Sequence, residues 1–227
     1  MKENLENVNS SADHDGKKNK SLIDSILANK KNIVAAVVVL LLAAGAYWFY
    51  DYTGIEAEKI ASLNLSRAKP YYERGELEKA LNGDPSVKIR GEDIVGLLET
   101  ARSYSRSGSG KNAALLAGHC LISLGKYAEA EEMFDIATSS KSTIVKAGGY
   151  AGLAAVNEKN SNYTESAELY TKAALLLSNY EEEALYKYFS AISFEKSGNI
   201  EKAKELFNEV YKAHRDTEYS NLSLSAM

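Results

Sequence analysis

The sequence predicts an all-α fold: one transmembrane helix near the N-terminus, followed by an α-solenoid of divergent helical hairpins. Three observations carry this. An uncharged run of 18 residues, IVAAVVVLLLAAGAYWFY, occupies positions 33–50. Only two prolines occur in 227 residues, so few helix breakers are present. Three stretches of one pattern, GKYAEAEEMFDIA (125–137), SNYTESAELYTKA (161–173) and GNIEKAKELFNEV (198–210), recur at offsets of 36 and 37 residues.

Composition removes several function classes. With a formal net charge of −4, non-specific binding to phosphate backbones has no electrostatic support, so nucleic acid is not an expected partner. The single cysteine forms no internal disulfide and belongs to no CxxC or Cys/His spacing for zinc.

Residues 1–31 hold six lysines and five acids, with no aromatic residue. Such a segment cannot bury enough apolar surface to offset chain entropy, so it reads as a disordered, lysine-rich tail. Residues 32–52 read as the transmembrane helix. At 1.5 Å per residue the uncharged run reaches about 27 Å, the thickness of the hydrocarbon core. It lacks the polar stripe of a buried core helix. It ends in Tyr47, Trp48, Phe49 and Tyr50, rings that suit the lipid–water interface, rather than in the small residues of a cleavage site. Five cations precede the span (13–32) and three follow it (51–70). The positive-inside rule then puts the N-terminus in the cytoplasm and the C-terminal domain outside. Residues 33–50 make the expected lipid contact.

Residues 55–106 read as linking helices with a degenerate repeat. A long helix runs from Ile55 to Tyr72, PYYERGELEKALNGD (70–84) echoes a turn and a small position at Gly75 and Ala80, and 91–106 adds a helix between the loops NGDPSVKIRG and SGSG. Residues 107–215 hold three repeats. Each has a turn residue, a large apolar residue two later (Tyr127, Tyr163, Ile200), and a small one three beyond (Ala130, Ser166, Ala203). An aromatic follows (Phe134, Tyr170, Phe207), and each preceding helix has a small residue at its crossing point (Gly118, Ala154, Ala191). Small residues at one crossing and aromatics at another let antiparallel helices approach closely. Residues 216–227 read as a flexible tail.

These positions resemble the tetratricopeptide repeat, a helix-turn-helix unit of 34 residues. Gly118, Ala130, Phe134 and Ala137 fit its first unit, Tyr150, Leu153, Ala154, Tyr170 and Ala173 the second, and Ala191, Ala203 and Phe207 the third. The chain departs from the pattern in longer spacing and in lacking the proline after each unit, where Ser142, Ser178 and Arg215 stand. The wider layout, from the lysine-rich stub through the span to the repeats, resembles the bacterial single-pass family of the ancillary Sec translocon subunit, whose repeat domain is shared with a cell division coordinator. That resemblance implies an inner-membrane protein with a periplasmic repeat domain. Its partners would be proteins: translocon subunits, exported clients or envelope assembly factors.

The repeat family binds polypeptides along the first helix of each unit. Its groove positions fall here on Asn112, Leu115, His119 and Ser123 in the first unit, and on Glu158 and Lys159 in the second. In the third they fall on Leu185, Tyr188, Ile192, Glu195 and Lys196. The subtype that clamps a chaperone's C-terminal carboxylate needs lysine, asparagine and arginine, where this chain has Leu115, His119, Gly152, Leu185 and Phe189.

Catalytic chemistry is not expected. SGSGKNAALL (107–116) looks like a phosphate loop but has Ser105 where the first glycine belongs and Asn112 where Ser or Thr would bind magnesium. His119 and Cys120 are neighbours about 100° apart on a helix and cannot share a ligand. No metal, cofactor or small-molecule substrate is implied. The reading is a membrane-anchored module for protein–protein contact, with a structural scaffold in envelope or division assembly as its rival.

Overall fold

The structure, a computed structural model, describes residues 30–177 and 182–227. It divides into two compact units, residues 1–53 and 54–227. The lysine-rich tail read at 1–31 falls, except for its last two residues, outside the described part.

Within the first unit the described residues are the beginning of helix α1 (Lys30–Glu73). Its apolar run is long enough to cross a membrane, and none of that window is buried by protein. Leu40, Leu41 and Leu42 are about as exposed as helical leucines can be. The rings of Trp48 and Tyr52 stack at 5.6 Å, one turn apart. The residues expected as a helix at 32–52 lie within α1.

The second unit begins inside α1 and continues with α2 (Leu77–Asn82), strands β1 (Gly83–Ile89) and β2 (Glu92–Val95), and α3 (Leu97–Ser103). Six helices follow: α4 (Gly108–Ser123), α5 (Tyr127–Thr138), α6 (Thr143–Lys159), α7 (Tyr163–Leu176), α8 (Glu182–Lys196) and α9 (Ile200–Ala213). Each packs on the helix before and the helix after it, giving three consecutive hairpins. A last helix, α10 (Glu218–Ala226), lies on α9 and α8.

One turn closes every hairpin. Gly125 and Gly198 take left-handed φ values of 74° and 86°, and Ser161 takes 62° in the equivalent place. In each turn two amides bond back to the helix just ended: Gly125 to Ile122 and Lys126 to Leu121, Ser161 to Glu158 and Asn162 to Asn157, Gly198 to Glu195 and Asn199 to Phe194. This paired closure satisfies carbonyls that a helix end would leave open. Gly75, with φ 75°, repeats it with Glu76 between α1 and α2, so the degenerate repeat has a true hairpin turn. Five residues after each turn the small position is buried: Ala80, Ala130, Ser166 and Ala203.

The first core joins the C-terminal part of α1 to α2–α6. Ala68, Leu81, Leu97, Leu121, Met133 and Phe134 are all buried there. Helix starts are capped by side chains, Ser107 Oγ accepting from the Gly110 amide and Ser142 Oγ from that of Val145.

The structure corrects three local expectations. NGDPSVKIRG is no loop: its residues enter an antiparallel hairpin, with Ile89 opposite Glu92 around Arg90 and Gly91, which both take positive φ. Two successive left-handed residues make the tight turn whose twist suits paired strands. SGSG is not a loop either, because Ser107 caps α4 and Gly108 begins it. Residues 216–227 were expected as a flexible tail but form α10, with Ser220 and Ser223 buried against neighbouring helices. Small side chains let that helix approach closely, a contact with little apolar signature in the sequence.

Candidate functional site

The first helix of each hairpin (α4, α6, α8) carries the positions expected to meet a partner. The structure joins α4 to α6 directly: a Cβ on Gly148 would lie 3.0 Å from Cδ1 of Leu115, which is itself buried. Leu115 therefore helps close the seam between units instead of facing outward. His119 is half-buried. Its ring lies 5.5 Å from that of Phe134, and its Nδ1 is 3.4 Å from the Tyr72 hydroxyl on α1. Burial lowers the His119 pKa below the ordinary histidine value, which keeps the imidazole neutral at pH 7. Ser123 is exposed, and its hydroxyl donates to the His119 carbonyl one turn back.

On α6 and α8 the expected charges find each other. Lys196 Nζ lies 2.6 Å from Glu158 Oε1 and 5.6 Å from the centre of the Tyr163 ring. The hydrogen bond to Glu158 raises the Lys196 pKa. Lys159 and Glu195 remain exposed. Leu185 is half-buried.

Tyr188 and Ile192 are not on an open face. Tyr188 packs its ring 5.8 Å from Phe207 and 5.8 Å from Tyr219, the latter on α10. Ile192 packs on the same cluster, which includes Ala191, Phe207 and Ala226. The expected groove positions of the third unit are thus partly covered from within the chain. Ser220, Ser223 and Ala226, three apart, were the signal for that cover, and a search for large apolar residues passes over them.

Asn112 lines a different feature, a cavity of about 440 Å³ at the start of α4, with Arg106, Lys111, Lys141 and Glu58. The Glu58 carboxylate accepts the Ser109 amide at 3.2 and 3.1 Å and the Ser109 hydroxyl at 2.5 Å. The helix start that resembled a phosphate loop is therefore held by the chain's own carboxylate. Lys111, the lysine of the loop-like motif, donates to the Ser139 carbonyl at 3.0 Å. Helix-end amides favour an anion, and Glu58 supplies it.

Cys120 is fully buried, and desolvation pushes its thiol up to about 11, so it holds its proton at neutral pH. Among the described residues no three His, Cys, Asp or Glu side chains cluster as metal ligands. What the arrangement offers is a row of helix faces. Apolar and neutral groups lie at its α4 end, a bridged charge pair joins α6 to α8, and the last unit is covered by α10.

Two of the solved structures that share this fold are of one protein. One is a kinesin light chain-like protein of Podosopora anserina with nearly identical TPR-like repeats, and the other is a single-residue variant of that protein. Each is 14% identical with a TM-score of 0.50 and covers 70% of this chain, which spans 80% and 79% of theirs respectively. No family model and no curated protein matches the sequence. The likeness shows the fold, an α-solenoid of TPR-like hairpins.

Proposed function

We propose that this chain is a membrane-anchored module that holds a polypeptide partner along the first helices of its three hairpins. The observation that carries this reading is that the first helices of the three hairpins lie side by side, α4 meeting α6 at Leu115 and Gly148 and α6 meeting α8 through the Glu158–Lys196 bridge. Solenoids use such rows of side chains to contact extended ligands. Asn112, Ser123, Lys159, Leu185 and Glu195 would supply the polar and apolar margins of that face. The exposed apolar helix at 33–50 would hold it in the membrane, raising its effective concentration beside other membrane complexes.

The lysine bias before the span favours a cytoplasmic N-terminus and a repeat domain on the outer, periplasmic side. With the resemblance in layout, this makes translocon subunits or newly exported chains the partners of choice. Photo-crosslinkers at Ser123, Lys159 and Glu195 in intact membranes test the proposal. Adducts with membrane secretion subunits or exported chains, lost when the probe is moved to the opposite face at Glu168, are expected. Equal labelling from both faces would remove the case for a groove. Protease cleavage of the repeat domain only after the inner membrane is permeabilised from the outer side would reverse the topology.

A further inference from the structure

Helix α10 differs from the other packed helices in what it buries. Leu206 and Phe207 of α9 are buried in one cluster with Ala191 of α8, and Val210 of α9 is fully buried. The interface of α10 is instead one ring, Tyr219, one methyl, Ala226, and two serines. Ser220 Oγ donates to the Tyr211 carbonyl at 3.3 Å. Ser223 is fully buried, yet among the described residues its Oγ has no hydrogen-bond partner. The leucines of α10 are not buried there, Leu222 being 43% and Leu224 51% exposed. A buried hydroxyl without a partner opposes burial, and half-exposed leucines contribute less to it than buried ones would. Elements with few buried apolar contacts open locally at small cost while their neighbours stay folded.

What α10 covers is Tyr188, a position of the proposed partner face, beside the cluster on which Ile192 also packs. Resting on that reading, we propose that α10 is a displaceable cover: it lies on the face of the third unit in the free protein and swings away to bare Tyr188. The partner's contact area then depends on the position of one short helix. A partner able to use the bared tyrosine would extend its contact from α4 and α6 onto α8.

Hydrogen exchange on the full chain in lipid nanodiscs tests this without any partner. The amides of 220–226 are expected to exchange at least about tenfold faster than those of α9, with α9 and α8 still protected. Ser223→Ala, which removes the unpartnered hydroxyl, should slow exchange in α10 alone. Ala226→Glu, which places a charge in the interface, should speed it and raise hydroxyl-radical labelling of Tyr188. Exchange of α10 in step with α9 would overturn the proposal, as would unchanged labelling of Tyr188 when α10 exchange has risen. If Ala226→Glu also exposes α8 and α9, Tyr219→Ser is read by the same two signals. Because neither readout involves a partner, failure here leaves the partner-binding reading standing, and failed crosslinking leaves the cover standing.

Discussion

Gly152 on α6 faces Phe134 on α5 so closely that a Cβ there would lie 2.3 Å from the ring. Gly118 on α4 meets the same ring, where a Cβ would lie 2.5 Å from Cε1. One aromatic side chain, fully buried, thus fills a slot cut by two glycines from separate repeat units. Interiors packed to crystal-like density tolerate no added atom at such a point.

Gly152→Ala is therefore expected to destabilise the repeat domain by about 1–3 kcal/mol through overpacking, although alanine is the better helix former. Urea unfolding followed by circular dichroism measures it. Adding Phe134→Leu should recover part of the loss, because the two sites share one space. A Gly152→Ala chain as stable as the parent would mean the slot is wider than the structure has it.

Ser161 pays for its left-handed backbone where Gly125 and Gly198 do not. Ser161→Gly should stabilise the domain by about 0.5–1 kcal/mol, and Gly198→Ser should weaken it by a similar amount. The pair of urea midpoints, shifting in opposite directions, is the expected result.

Asp84, at the foot of the β-hairpin, is held by the Ser86 hydroxyl and by Lys79, with the Ser86 amide adding to both, against the opposing effect of burial. These bonds lower its pKa from 3.8 to about 2. A depressed carboxylate stabilises the fold above its unfolded value, and the contribution is lost as pH falls toward the folded value. Stability should thus decline between pH 3.8 and about 2, and Asp84→Asn should flatten that limb of a pH series of thermal midpoints. An unaltered acid limb in the variant would assign it to other carboxylates.

Glu158 and Lys196 bridge α6 and α8 at 2.6 Å near the surface. A double-mutant cycle with alanine at both positions should give a coupling below about 1 kcal/mol that shrinks in high salt. If the bridge belongs to the partner face, Lys196→Ala should reduce crosslinking from Lys159 far more than it reduces stability. A large, salt-insensitive coupling would instead make the pair a structural lock.

The spacing of 125, 161 and 198 was legible in the sequence because each turn is a local event: a left-handed residue, two backbone bonds and a small residue five positions on. The apolar run at 33–50 and the buried Ala130, Ser166 and Ala203 were legible for the same reason, since periodicity and hydropathy are properties of neighbouring residues. Tertiary packing decided the rest. Nothing near Glu58 announces that its carboxylate will fill the start of α4, 51 residues later. Nothing near Tyr188 says that Tyr219 will cover it. Of the positions expected from repeat register, Glu158 and Lys196 are joined by a bridge, Leu115 is buried in the seam between α4 and α6, and Tyr188 lies under Tyr219 of α10. Helix and turn are set by interactions a few residues long, whereas exposure depends on whichever distant segment packs on top, and that choice is made by shape and space in the folded chain.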